Sequence, residues 1–489
     1  MTISERLTEP ALFKTGAYIG GKWTSGDKSF PVYNPANRQT LADVTDVGAE
    51  GAKTAIAAAS EGLKRWKKTS PFERCRVLLK WYDLIQRYSD DLGTLITAEM
   101  GKPLREAKGE VAYGAAFIEW SAQEAARVHG ETLPVAAPGA RGWTLRQPVG
   151  VVSCITPWNF PAAMITRKAA PALAAGCSIV IKPAPETPLT ALALAELADR
   201  AGFPAGVFNV ICGDAQDLGP VMTGSPEVRM IGFTGSTEVG KLLMRQAADG
   251  IKRVSLELGG NAPFIVMDDA DLDAAAAGVA QAKFRSGGQT CVSPNRIIVQ
   301  EGVADAFVGR LQAKIASVKA GDGFDSASDI GPLIHDEAVD RVDALVKSAV
   351  AGGAKVLTGG QPLADELGGS FYAPTLLDGG SFDLEIARSE IFGPVASVYR
   401  ASDETQIVQL ANDTPYGLAA YLYTRDIGRV HRMTEELDYG MIGVNAPMVG
   451  SASTPFGGVK ESGIGREGGK WGVEEFTELK YVLLAGVNG

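Results

Sequence analysis

Histidine is nearly missing from this chain: three residues in 489 (His129, His335, His431), far apart, leave no His-rich metal centre, and no metal is expected. Cysteine is sparse as well. The five cysteines (Cys75, Cys154, Cys177, Cys212, Cys291) are odd in number, widely spread and without a CxxC pair, which supports neither a disulfide framework nor a zinc cluster. A reducing, cytoplasmic setting fits that usage. Positive charge is also in deficit, with 47 Lys and Arg against 57 Asp and Glu, a net charge of −10 that repels polyanions. The longest basic cluster, Lys64, Arg65, Lys67 and Lys68, lies on an amphipathic helix pattern and reads as a solvated face, so no nucleic-acid partner is expected. Long apolar runs are lacking too. Met1 to Lys14 has no apolar core of the kind a signal peptide needs, and the uncharged stretch 440–459 is broken by Gly, Pro, Ser and Asn. Neither a signal peptide nor a membrane span is expected.

What is present is ordinary for a soluble globular protein: 45% hydrophobic and 21% charged residues, with 58 glycines and 26 prolines. Disorder, collagen and low-complexity readings are excluded, and the length implies about two to four domains. Residues 1–50 read as short strands and turns, and 51–129 as long helices. From Val149 apolar runs alternate with amphipathic stretches, giving strands at Val149–Thr156, Ser178–Lys182, Val207–Ile211, Met230–Phe233 and Arg253–Leu258. A second series follows Gly259-Gly260, at Pro263–Met267, Arg296–Val299, Val395–Tyr399, Ala419–Tyr423 and Met441–Val444. Strict alternation of strand and helix implies parallel pairing with right-handed crossovers, hence two doubly wound α/β units. Glu131–Gln147 and Phe476–Leu484 belong naturally to neither. Stranded excursions of this kind pair across subunits, which points to an oligomer.

Four local patterns could carry chemistry. Cys291 ends Gly287-Gly288-Gln289-Thr290-Cys291, where glycines let the backbone turn tightly beneath a thiol; a buried structural cysteine is the competing reading, and a Cys hydrolase would need a histidine base that is not near in sequence. Glu257, in Leu256-Glu257-Leu258-Gly259-Gly260, is a carboxylate in an apolar run, suited to a general base or merely to a salt bridge. Asn159, in Thr156-Pro157-Trp158-Asn159-Phe160-Pro161, offers an amide held between prolines, either an oxyanion donor or a turn cap. Gly235-Ser236, between a strand and a helix, suits a pyrophosphate without matching GxGxxG, and Lys182 ends a strand where open α/β sheets bind ligands.

Taken together, Pro157-Trp158-Asn159-Phe160-Pro161, Lys182-Pro183-Ala184, Phe233-Thr234-Gly235-Ser236-Thr237-Glu238-Val239-Gly240, Leu256-Glu257-Leu258-Gly259-Gly260, Gly288-Gln289-Thr290-Cys291, Glu390-Ile391-Phe392-Gly393-Pro394 and Pro455-Phe456-Gly457-Gly458 resemble the aldehyde dehydrogenase superfamily, in its order and over nearly the whole chain. The resemblance implies two Rossmann-like doubly wound domains with a small β oligomerisation arm: 1–130 with 148–256 binding a dinucleotide, 257–450 catalytic, and 131–147 with 451–489 forming arm and tail. It implies Cys291 as nucleophile, Asn159 and the Cys291 N–H as oxyanion donors, and Glu257 as the base that activates water against a thioester. Thr156, Pro157, Trp158, Lys182, Gly235, Ser236, Leu258, Glu390 and Phe392 would hold the cofactor, NADP or NAD.

Among branches the chain is most similar to succinate-semialdehyde dehydrogenases, through Phe160 to Lys168, Lys283-Phe284-Arg285 and Ser462 to Gly468. That similarity implies a substrate carboxylate held by Arg167, Arg285 and Ser451, with helix-surface or helix-terminal cations as the plain alternatives for the two arginines. Glutarate or 2-oxoglutarate semialdehyde, or a larger aromatic or hydrophobic carboxy-aldehyde, stay open as substrates, and a non-catalytic dinucleotide-binding homologue as a different class. Pro185 stands where many NAD-preferring relatives carry a glutamate, so NADP or dual use is expected, unless Glu186 substitutes. Ser293 stands where some relatives carry a second cysteine, which excludes a disulfide switch with Cys291. A homodimer or homotetramer follows from similarity alone.

Overall fold

The structure is a computed structural model and describes residues 2–486. Strands buried on both faces cannot alternate polar and apolar residues. Ser178–Lys182, Ala262–Val266 and Ala419–Tyr423 are accordingly buried at every position. They form the hearts of two α/β sheets. The first sheet has eight strands in the order Gly463–Ile464, Arg253–Glu257, Val228–Thr234, Val151–Ile155, Ser178–Lys182, Phe208–Val210, Ala17–Ile19 and Lys22–Thr24. Its five central strands are parallel. The chain winds outward in both directions from Val151–Ile155, so the order reverses between that strand and Val228–Thr234, the place where open α/β sheets leave a crevice for ligands.

The second sheet runs Lys355–Thr358, Thr375–Asp378, Val395–Ala401, Pro294–Gln300, Ala262–Val266, Ala419–Tyr423, Met441–Val444. All its pairings are parallel except that of the edge strand Lys355–Thr358. Helices cover both sheets and are punctuated by local chemistry. Ser236 caps Thr237–Ala248 and Asp271 caps Leu272–Phe284 through side-chain oxygens, and Gly176 ends Ala163–Ala175 in the left-handed conformation that favours glycine. No helix among the described residues is long and apolar enough to cross a membrane.

A third, three-stranded antiparallel sheet joins Thr132–Leu133, Arg141–Pro148 and Thr477–Leu484. Leu479, Tyr481 and Leu483 stand exposed on it. The segment 451–489 does not behave as one arm and tail. Gly463–Ile464 returns to the first sheet beside Leu256 and Glu257, and the helix Gly469–Glu474 packs against the helices Leu104–Glu124 and Ala163–Ala175. Only from Thr477 does the chain leave for the arm, and residues 487–489 of that assignment lie outside the described residues. The cause is packing: Val473 and Phe476 are buried in the first domain's core, which pins the chain there before it can depart. Glu257, placed at the start of the second domain by sequence, is the last residue of a first-sheet strand, so the crossing falls at Gly259-Gly260.

Candidate active site

The C-terminal ends of the first sheet's strands face the N-terminal ends of the second sheet's strands, with Gly259-Gly260 carrying the chain across. A Cβ on Gly260 would sit 2.5 Å from the Cys291 carbonyl oxygen, so the two backbones meet because neither a side chain nor solvent intervenes.

From the first side, the strand Val151–Ile155 leads into Thr156–Phe160. Thr156 N–H donates to Lys182 O at 3.1 Å, tying two strand ends together. Asn159 is buried; its Nδ2 donates to Gln289 O at 3.0 Å, and its carbonyl accepts from Lys102 Nζ at 2.8 Å. After Val228–Thr234, Gly235 N–H donates to Glu257 O at 3.1 Å, and Ser236 opens the next helix by accepting from Val239 N–H. Gly240 leaves room for Leu258, whose Cδ2 would lie 2.4 Å from a Cβ there. Both carboxylate oxygens of Glu257 are buried without a hydrogen-bond partner among the described residues. Burial, then the charge of Glu467, lifts the Glu257 carboxyl well above the usual carboxylate range against the pull of Lys168, Arg167 and Arg466.

From the second side, the helix Leu272–Phe284 runs into Arg285 and then three residues in left-handed backbone, Ser286, Gly287 and Gly288, with φ of 53°, 65° and 77°. Gln289, Thr290 and half-buried Cys291 follow. Burial pushes the Cys291 thiol up to about 12; the charges of Glu390 and Glu257 add to this and Arg167 opposes it. Glu390 accepts from Gly260 N–H at 3.1 Å, and burial raises its carboxyl to about 7. Phe392, itself at φ 53°, meets Trp158 edge-on with ring centres 5.5 Å apart. Pro157 lies in the same turn as Trp158.

These groups fit a dinucleotide. Lys182 is a buried ammonium whose one hydrogen bond among the described residues is a long 3.5 Å contact to Pro183 O, and burial lowers its pKa, so a hydroxyl or phosphate would complete it. Ser236 places a helix N-terminus nearby in sequence to the strand end that carries it, while Trp158, Phe392 and Glu390 supply an aromatic and acidic wall.

A cavity of about 30 Å³ is lined by Tyr113, Arg285, Thr290, Tyr421, Met448 and Phe456 among others, and a vestibule of about 680 Å³ shares Tyr113, Arg285 and Met448 with it. The Arg285 guanidinium lies 4.9 Å from the Phe160 ring centre and 3.6 Å from Met448 Sδ, and among the described residues no carboxylate lies within ion-pair distance of it. The other two residues expected beside it are placed differently. Arg167 is buried behind the cavity wall, 3.9 Å from the Phe456 ring centre, in an ion pair with Glu467 (Nη2 to Oε2, 2.7 Å). Ser451 is exposed and exchanges hydrogen bonds with Ser453 and Thr454. Arg167 is thus already charge-compensated, and Ser451 is engaged in its own turn.

Sequence reasoning gave no role to Glu467 or Lys168, which form a buried ion pair that also holds Arg167. It also passed over Lys102 and Glu110, paired at 2.6 Å, with Glu110 accepting from the N–H groups of Ala162 and Ala163. A signal for the latter existed: Glu106, Glu110 and Tyr113 recur at helical spacing among buried Ala107, Val111 and Gly114, a polar stripe on a buried face.

The sequence pattern of the aldehyde dehydrogenase family matches residues 23–482. The chain is 49% identical to glutarate-semialdehyde dehydrogenase of Pseudomonas aeruginosa over 484 residues, covering 99% of this chain and 100% of that protein. It is 49% identical to the NADP(+) succinate-semialdehyde dehydrogenase of Escherichia coli, covering 98% and 99%. The crystal structure of succinate-semialdehyde dehydrogenase from Burkholderia pseudomallei superposes with a TM-score of 0.97 at 49% identity, covering 98% of this chain and 100% of that one. These matches, with a thiol and an unpaired buried carboxylate meeting between two such sheets, make the chain a member of the aldehyde dehydrogenase family of oxidoreductases.

Proposed function

We propose that this enzyme oxidises a short aldehyde bearing a distal carboxylate, succinate semialdehyde to succinate in the first instance, with glutarate semialdehyde as the neighbouring alternative. The observation that carries this is Arg285: a guanidinium without a carboxylate partner, lining a small cavity beside the Cys291 loop. A buried or half-buried guanidinium selects an anion that can satisfy its planar fork. One methylene is worth about 1–3 kcal/mol in such a pocket, so the two semialdehydes are both in range. The names of the relatives in Pseudomonas aeruginosa and Escherichia coli support the same class.

Cys291 Sγ attacks the aldehyde carbon as the thiolate, its proton having passed to solvent, which leaves Glu257, the unpartnered carboxylate that burial has made a stronger base, ionised for the later hydrolysis. Asn159 Nδ2 and the Cys291 N–H stabilise the oxyanion of the resulting thiohemiacetal. A nicotinamide dinucleotide, when bound, supplies the hydride acceptor. Lys182 and Ser236 hold its adenosine and phosphate side, Glu390 and Phe392 orient the reactive end, and Thr156, Pro157, Trp158, Gly235 and Leu258 form the walls. Glu257 then takes a proton from the water that cleaves the Cys291 thioester. Pro185 removes a carboxylate that would repel a 2′-phosphate, which supports NADP or dual use, as does the cofactor in the name of the Escherichia coli relative. The exposed apolar arm strand supports a homodimer or homotetramer, and the sparse cysteines without a CxxC pair support a cytoplasmic setting.

The test is the initial rate of reduced-cofactor formation with succinate semialdehyde, run with NADP and with NAD against a Cys291→Ala control. Turnover is expected with the wild type and none with the control. Arg285→Ala should raise KM for the semialdehyde while sparing butyraldehyde; equal effects on both would refute the anion assignment.

A further inference from the structure

Three consecutive residues in left-handed backbone, one of them a serine, do not hold that shape unaided; such stretches persist where their surroundings over-determine them. The Ser286–Gly288 turn is held from several sides. Gln289 Nε2 donates to Ser286 O at 3.0 Å, Gln289 Oε1 accepts from Ile334 N–H at 3.0 Å, and Gly288 packs so closely that a Cβ would lie 2.1 Å from Gly393 O. Those holds belong to the second domain. One comes from elsewhere: Ser286 N–H donates to Glu106 Oε2 at 2.8 Å, and Glu106 sits on the helix Leu104–Glu124, which packs on the helices of the first domain.

One turn further along that helix, Glu110 accepts from Ala162 and Ala163 N–H and pairs with Lys102, and Lys102 donates to Asn159 O. The same helix face therefore grips the turn that aims the Cys291 thiol and the turn that aims the Asn159 amide. Four residues of helix set the spacing of the two grips at about 6 Å. We propose that Glu106 is a positioning residue for the aldehyde chemistry, a clamp that registers the nucleophile loop of one domain against the oxyanion turn of the other. The clamp rests on Cys291 being the nucleophile. Burial raises the Glu106 carboxyl, against the Ser286 N–H hydrogen bond and the charges of Lys102, Arg285 and Arg105.

The experiment compares Glu106→Ala, Glu106→Asp and Glu106→Gln in the full-length enzyme with bound cofactor. It measures the burst rate constant of reduced-cofactor formation per titrated active site, with succinate semialdehyde and with butyraldehyde, the rate of Cys291 alkylation by iodoacetamide located by peptide mass spectrometry, and the cofactor Kd. Loss of register by an ångström costs on the order of tenfold to a hundredfold in a bond-forming step. Glu106→Ala and Glu106→Asp, whose carboxylate is one methylene short, should lose at least about tenfold in burst rate and in alkylation with either aldehyde while the cofactor Kd stays unchanged. Glu106→Gln, whose amide oxygen accepts the same N–H, should return both. A purely structural role would lower the number of active sites and leave the rate per site alone. An unchanged rate per site in Glu106→Ala overturns the clamp; where that variant does not fold, equal rates in the Asp and Gln variants overturn it. A burst that survives Cys291→Ala would instead overturn the nucleophile assignment and the clamp with it, while a loss seen with butyraldehyde as well as the semialdehyde keeps the clamp separate from anion recognition.

Discussion

Glu467→Gln tests the electrostatics beneath the site. Glu467 is buried, pairs with Arg167 and Lys168, and contributes the charge that, after burial, does most to lift Glu257. Removing one partner from a buried ion pair costs about 3–5 kcal/mol because the remaining charge is left uncompensated. At about 2.1 cal/mol/K of unfolding entropy per residue, 489 residues give about 1 kcal/mol/K, so the melting temperature should fall by about 3–5 °C. The second consequence has a fixed sign. With Glu467 neutral, Glu257 loses a repelling charge and gains two freed cations, so its carboxyl falls toward the ordinary range. A base must be ionised to act, so the acid limb of the kcat profile should move to lower pH. Thermal-shift and pH-rate measurements on the same variant check both. A melting temperature within a degree of wild type together with an unmoved acid limb would refute the network as described.

Glu257→Gln should allow one burst of reduced cofactor and then stall, because the thioester forms and no base remains to activate water; quenched-flow traces show it directly. Lys283 is fully buried with a single hydrogen bond among the described residues, to Asn295 Oδ1 at 3.2 Å, and burial pulls its ammonium down to about 7 from an ordinary 10.5. The unfolded chain therefore binds the extra proton between those values, and this residue makes stability rise with pH across about 7 to 10.5, a span worth on the order of 5 kcal/mol. Lys283→Met should stabilise the enzyme near neutral pH and flatten that rise, read from melting temperatures at pH 7 and 10 relative to wild type. Ile251, 92% exposed at φ 50°, holds a β-branched side chain in left-handed backbone at a cost of about 1–2 kcal/mol. Ile251→Asn should raise the melting temperature by about 1 °C, and a lower value would show that the side chain has a partner.

The parallel cores were legible because burial on both faces writes them as unbroken apolar runs. Ser178–Lys182, Ala419–Tyr423 and Met441–Val444 have the same limits in sequence and structure. The edge strand Lys355–Thr358 carries exposed Lys355 and Val356 and has no such run. Gly463–Ile464, two residues long, cannot announce itself by any period. The individual chemical groups were readable from motifs, but their electrostatic partners were not: Lys168 and Glu467 are 299 residues apart, and no local pattern couples residues at that distance. From sequence Arg167 therefore reads as a contact for the substrate carboxylate or a helix-surface cation, whereas its partner is Glu467 at the far end of the chain.

That pairing ties substrate charge to the base. Burial and Glu467 push the Glu257 carboxyl up while Lys168, Arg167 and Arg466 pull it down, so the charge around this cluster sets how readily Glu257 ionises. A substrate carboxylate held at Arg285 brings a further negative charge close to the same cluster. Like charges disfavour ionisation, so the Glu257 carboxyl should rise further while an ω-carboxylated acyl group is on Cys291 than while a plain one is. The acid limb of kcat should then lie at higher pH for succinate semialdehyde than for butyraldehyde, and the gap should shrink in Glu467→Gln, where the freed cations absorb the added charge. Single-turnover deacylation measured against pH with both aldehydes decides it. Coincident acid limbs would mean that the distal carboxylate is electrostatically remote from Glu257, and that Arg285 compensates it alone.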